Sequence, residues 1–145
     1  DVTMELQTEG GCEPLYNGVV VTEDTLLVID SAYDAWNLQH YNLRDGKLLA
    51  TSQRLESTPW GVCLISKTEV AVCLLDCTIV IMSFKPIDDM KIVKTLDVST
   101  GFNKCHSVAK LNSSDKLLVS GLKDGLLFWC VLNLIDGRVD STHKI

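Results

Sequence analysis

The sequence predicts an all-β chain: about three four-stranded antiparallel blades of a partial β-propeller, cut from a larger ring. Three observations carry that prediction. Short runs rich in Val, Ile, Leu and Cys recur along the chain, turn residues punctuate them, and the whole pattern repeats at intervals of 43 and 46 residues. Four short strands in each unit of about 40–45 residues is the period of propeller blades. Helical solenoids share that period, but no segment here sustains an i, i+3, i+4, i+7 apolar stripe.

Each unit opens on a valine-bearing run: Gly18-Val19-Val20-Val21, Gly61-Val62-Cys63-Leu64-Ile65 and Ser107-Val108-Ala109-Lys110-Leu111. A short polar turn leads to a second run, Leu26-Leu27-Val28-Ile29, Val70-Ala71-Val72-Cys73-Leu74 or Leu117-Leu118-Val119-Ser120. An aspartate-bearing turn follows, holding Asp34, Asp76 or Asp124, and then a third run over 36–43, 78–84 or 126–134. Between third and fourth runs, the first and third units carry Asp45-Gly46-Lys47 and Asp136-Gly137-Arg138. Asp-Gly is a hairpin signal because glycine supplies the positive φ that the turn demands. The middle unit has a longer loop over 86–90. Fourth runs span 48–55 and 91–98, with the mixed polarity of an outer strand, and the third unit's fourth run starts at Arg138 and is nearly truncated.

Third runs such as Ile79-Val80-Ile81-Met82 are apolar on both faces, as expected where neighbouring blades cover a sheet on both sides. In the first unit the pattern slips between Trp36/Leu38 and Tyr41/Leu43, which predicts a bulge. An irregular lead-in over 10–17 puts that unit's opening strand in question. The units are taken as 11–56, 57–101 and 102–145 of a single partial propeller domain.

Composition limits the function. At 145 residues and 46% apolar content the chain is long and apolar enough for one domain with a hydrophobic core. A net charge of −6, with Lys and Arg scattered, leaves no basic field for phosphates, so charge gives nucleic acid, RNA included, no support. The apolar runs are far shorter than the ~20 residues that span a bilayer, and the N-terminus does not read as a secretory signal. The six cysteines, Cys12, Cys63, Cys73, Cys77, Cys105 and Cys130, form no Cys-x-x-Cys pair. They read as reduced core thiols and favour a reducing, cytoplasmic setting. The sequon Asn112-Ser113-Ser114 reads as a turn.

These runs resemble the NHL-type propellers of invertebrate tripartite-motif and B-box proteins. The likeness is carried by Leu26-Leu27-Val28-Ile29-Asp30-Ser31, by Pro59-Trp60-Gly61-Val62-Cys63 with Thr68-Glu69-Val70-Ala71-Val72, and by Cys105-His106-Ser107-Val108. The Trp-Asp and Gly-His signatures of the tryptophan-aspartate class are missing. The resemblance implies a six-bladed ring, of which this chain would be half, serving as the substrate- or RNA-binding end of an E3 ubiquitin ligase. The zinc-binding modules of such a ligase are not in this sequence.

Three blades cannot close a ring. Each terminal blade is expected to leave an apolar face for remaining blades or for self-association. A protein partner is expected, with no membrane and no cofactor. His40, His106 and His143 lie without a nucleophile elbow, so acyl-transfer chemistry has no support. A metal-dependent, lactonase-like hydrolase is the enzyme alternative, with Asp30, Asp34, Asp76, Asn103 and Asp124 as oxygen ligands. Turn aspartates more often cap backbone N–H groups. Trp60 and His106 occupy matching places before the inner strand, where a channel rim belongs. With Tyr33, Asp34, Lys123 and Asp124 on the loops joining second to third strands, they form the candidate partner surface. Trp36 and Trp129, in third strands, are expected in the core between blades.

Overall fold

Twelve strands in three sheets make up the regular structure of the computed structural model, which describes residues 16–32, 35–86, 89–112, 114–140 and 142–145. The first sheet joins β1 (Tyr16–Thr22), β2 (Thr25–Asp30), β3 (Asn37–Asn42) and β4 (Leu48–Thr51). The second joins β5 (Pro59–Leu64), β6 (Glu69–Leu74), β7 (Thr78–Ser83) and β8 (Lys91–Asp97). The third joins β9 (Lys104–Lys110), β10 (Lys116–Lys123), β11 (Leu126–Asn133) and β12 (His143–Lys144). Within each sheet the strands lie side by side in chain order and antiparallel. Among the described residues no helix is long and apolar enough to cross a membrane.

The sheets are arranged radially. β5 lies against both β1 and β9, so the three opening strands share one inner edge, and no pair of fourth strands approaches to that extent. Gly61 permits the approach of β5 to β9: a Cβ there would stand 3.2 Å from the His106 carbonyl oxygen and 3.3 Å from Ser107 Cα. The sequence expectation of three successive four-stranded blades holds, including an opening strand in the first unit.

Two apolar layers fill the gaps between blades. Val70, Val72, Leu74, Val80 and Met82 of the middle sheet pack with Leu27, Ile29 and Leu38 of the first. Ala71, Cys73, Ile79 and Ile81, from its other face, pack with Cys105, Val108, Leu117, Val119, Cys130 and Leu132 of the third. Successive strand residues point to opposite faces, so the Val70–Leu74 stretch of β6 and the Ile79–Met82 stretch of β7 are apolar on both faces and serve both layers. Each fully buried Val, Leu, Ile or Met in these layers contributes roughly 1.5–3 kcal/mol.

The turns repeat in detail. The Gly46 and Gly137 N–H groups each donate to the carbonyl four residues back, on Asn42 and Asn133, at 2.9 Å. Both glycines sit at positive φ, 72° and 71°. The preceding aspartates, Asp45 and Asp136, accept from the N–H of Lys47 at 3.0 Å and of Arg138 at 2.8 Å. The third unit's fourth strand is interrupted: Val139 bridges Leu132, and pairing resumes only at His143 and Lys144.

The bulge expected in the first unit is present, on the partner strand, and one other expectation needs correction. The pattern slip in β3 coincides with a register shift, but the extra residue is Leu49 in β4, between the pairs His40–Ala50 and Tyr41–Leu48. The slip itself arises because residues 37–41 are buried on both faces. The terminal blades, expected to be alike, are not. Blade 3 exposes Leu127 at 49% and Ile145 at 71% on its outer side, beside Trp129. The outer side of blade 1 is buried and largely polar. There the Tyr41 hydroxyl donates to Gln39 Oε1 at 2.7 Å, and Gln39 Nε2 donates to Asp30 Oδ2 at 3.1 Å and Asn37 Oδ1 at 3.0 Å.

Candidate functional site

The opening strands of blades 2 and 3 each depart from regular pairing near their start, whereas the departure in β1 lies near its end, between Val20 and Thr22. In β5, Pro59 pairs with Leu74 and Gly61 with Cys73, leaving Trp60 as an extra residue. In β9, Cys105 pairs with Gly121 and Ser107 with Ser120, leaving His106 as the extra residue. A bulge re-aims the side chain it carries, and such bulges gather beside functional sites. These two aim their rings at each other, with centroids 6.0 Å apart and planes tilted by 34°. Both side chains are half-buried. Trp60 rests on the apolar layer between blades 2 and 3, while no hydrogen bond engages the His106 imidazole among the described residues.

The β9 bulge depends on glycine. A Cβ on Gly121 would stand 2.2 Å from the Lys104 carbonyl oxygen and 3.0 Å from Phe102 Cδ1, so any other residue would displace the strand. The β5 bulge is fixed from the neighbouring blade by the Ser31 hydroxyl, which donates to the Pro59 carbonyl at 2.7 Å.

This backbone plan has a solved counterpart. The chain superposes on the WD40 β-propeller domain of Doa1 with a TM-score of 0.69 at 12% sequence identity. The fold is that of a β-propeller sector. The match covers 89% of this chain and 40% of that one, so the chain spans about two-fifths of the length of the solved propeller. At that identity the two share architecture alone, and the Trp-Asp and Gly-His signatures remain absent here. No protein-family model and no curated protein matches the chain.

On the propeller frame, the starts of the opening strands and the turns between second and third strands share one end of the sector, as the pairs Pro59–Leu74 and Lys104–Leu122 require. Trp60, His106, Lys123 and Asp124 therefore lie at the same end. Tyr33 and Asp34 lie outside the described residues. Asp124 adopts a positive φ of 51°, and its N–H donates to Asn103 Oδ1 at 2.7 Å, leaving its carboxylate exposed. The bulges were not legible in the sequence, because they are set by pairing partners on other strands. The matching placement of Trp60 and His106 was their only signal.

The proposed oxygen ligands are dispersed. Asp30 is buried in the polar cluster of blade 1, accepting also from the Ala32 N–H at 3.0 Å. Asp76 Oδ1 accepts from the Thr78 N–H at 3.1 Å, the capping role expected of a turn aspartate. Asn103 is engaged by Asp124, and Asp34 lies outside the described residues. Among the described residues no three His, Cys, Asp or Glu side chains are grouped to hold a metal ion.

Of the tryptophans outside the rim, Trp36 packs between blades as expected and Trp129 does not. Trp36 lies beside the layer between blades 1 and 2 with Arg54 over its ring at 4.3 Å. Trp129 lies on the open side of blade 3, stacked on His143 at 4.4 Å, and not between blades. Cys63, Cys73, Cys77, Cys105 and Cys130 are free thiols. Burial pushes Cys63, Cys77 and Cys130 up to about 11. Cys105 is pushed up further, first by its hydrogen bond with Cys73 and then by burial. Thiols so held remain protonated and poorly nucleophilic.

Proposed function

We propose that the chain is a non-catalytic protein-interaction module whose recognition surface is the end of the sector carrying Trp60 and His106. The carrying observation is the pair of matched bulges, which hold two aromatic rings half-exposed at the inner edge of a rigid scaffold. Aromatic side chains supply large contact area at small entropic cost, and loops on rigid sheets are where recognition is placed. Lys123 and Asp124, with Tyr33 and Asp34, complete the proposed surface.

The three units, 11–56, 57–101 and 102–145, act in this reading as one continuous sector in a reducing, cytoplasmic setting. The open side of blade 3 receives a further blade, since Leu118, Trp129 and Ile145 form an apolar depression there. Blade 1 instead presents a largely polar outer side built on Asp30, Asn37, Gln39 and Tyr41. The resemblance carried by Pro59-Trp60-Gly61-Val62-Cys63 and Cys105-His106-Ser107-Val108 supports a narrower assignment, the substrate-recognition propeller of a tripartite-motif-type ubiquitin ligase.

The test is affinity capture with the wild-type chain and with the Trp60→Ala/His106→Ala double variant, followed by binding of the purified captured protein to each. A partner bound directly by wild type and weakened about tenfold or more in a folded variant supports the reading. Equal binding to both contradicts it.

A further inference from the structure

A cavity of about 100 Å3 opens where the first and second blades meet, between the connection from β4 to β5 and the second sheet. It sits at the same end of the sector as Trp60, because the β6–β7 turn and the start of β5 are paired there. Leu55, Leu74 and Val80, all buried, give it an apolar floor, with Ile92 beside them. Its polar lining is Glu56, Asp76, Thr78 and Thr95: two carboxylates, two hydroxyls and no basic side chain.

Neither carboxylate is neutralised. Asp76 uses Oδ1 to cap the Thr78 N–H, and no ion pair joins Asp76 or Glu56 to a cation among the described residues. The nearest basic residue in sequence, Arg54, is placed over the Trp36 ring. The available space is several times the ~10–15 Å3 that one water needs and well below the ~300–1,000 Å3 of a cofactor or drug-sized pocket. Its occupant is thus the size of a side chain.

Apolar floor and acidic mouth ask different things of that occupant. The floor favours methylene groups, while the carboxylates favour a cation able to donate hydrogen bonds. Lysine and arginine offer both, burying an aliphatic stem while the charged head stays at the mouth. The chain's net charge of −6 draws basic segments towards it. We infer that the Glu56–Asp76 cavity receives a lysine or arginine side chain of a protein partner docked on the Trp60–His106 end of the sector. This inference deepens the interaction reading above and rests on it for the source of the side chain.

Amide NMR of the whole chain, titrated with N-acetyl-lysine methylamide, N-acetyl-arginine methylamide and uncharged N-acetyl-norleucine methylamide, tests the cavity directly. Saturable shifts at Leu74, Thr78 and Thr95 are expected with either cationic probe, and binding about tenfold weaker with norleucine. The Glu56→Gln/Asp76→Asn double variant, which keeps an acceptor for the Thr78 N–H, is expected to bind the cationic probes no better than norleucine. Equal binding of charged and uncharged probes, unchanged binding in the double variant, or no saturable shift by about 50 mM of either cationic probe would overturn the inference. The two ideas fail separately: a silent cavity alongside partner loss in the Trp60→Ala/His106→Ala chain removes the cavity alone, whereas a partner indifferent to that variant removes the recognition surface.

Discussion

Gly61 on β5 faces the backbone of His106 on β9 so closely that a Cβ would stand 3.2 Å from the His106 carbonyl oxygen, with Cys73 Sγ at 3.0 Å on the other side. The inner edges of blades 2 and 3 are therefore set by the absence of one side chain. Gly61→Val adds three carbons to this gap. It is expected to cost about 2–3 kcal/mol by overpacking, read as a lower denaturant midpoint at unchanged slope. A variant as stable as wild type would show that the two strands are not in contact.

His40 is buried between blades 1 and 2 beside Phe84, and neither ring nitrogen has a hydrogen-bond partner. Burial lowers its pKa from the ordinary 6.5. The folded state then binds fewer protons than the unfolded state, so stability rises with pH. The full contribution is present above 6.5 and is lost as pH falls from there through the lowered folded value. His40→Leu removes two unsatisfied polar atoms and the titration together. Urea melts at pH 7.5 and 5.5 should show the variant more stable by about 1 kcal/mol at the higher pH, with a larger advantage at the lower. An advantage that does not grow on acidification contradicts this account of His40.

Cys63, Cys77 and Cys130 are held near 11, about two units above their ordinary value of 9. At pH 8 this cuts the thiolate fraction about 100-fold. Iodoacetamide labelling followed by peptide mass spectrometry should find these residues slow in the folded chain and fast in denaturant. Equal rates in both conditions would show that the inter-blade layers are open.

The open side of blade 3 is expected to drive association in the isolated chain. Leu127→Glu/Ile145→Glu replaces two exposed aliphatic side chains, 49% and 71% accessible, with carboxylates. Sedimentation velocity over a concentration series should show weaker self-association in the variant, with the melting temperature within about 3 °C of wild type. Undiminished association would place the contact elsewhere.

The blade plan was readable because it is written locally. Asp45-Gly46 and Asp136-Gly137 announce their turns through residues that must adopt positive φ, and Ile79-Val80-Ile81-Met82 announces a strand covered on both faces. What stayed hidden depends on contacts distant in sequence. Gln39 and Tyr41 looked like a lapse in alternation, yet they form a buried polar cluster with Asp30 on the outer side of blade 1. Trp129 looked like core because its strand is apolar, but only neighbouring sheets decide which side of β11 is covered. The matching positions of Trp60 and His106 were visible in the sequence, but both lie within the opening strands rather than before them, and their meeting at 6.0 Å required both bulges and the approach of β5 to β9.

The central claim is that the opening strands of successive blades converge on one inner edge. The proton NOE spectrum of the folded chain measures this at a single pair. A strong cross-peak between Gly61 Hα and Ser107 Hα is predicted, since a Cβ at Gly61 would lie 3.3 Å from Ser107 Cα. If that cross-peak is missing while the β5–β6 and β9–β10 cross-peaks are intact, the blades are formed but not joined radially, and the account fails.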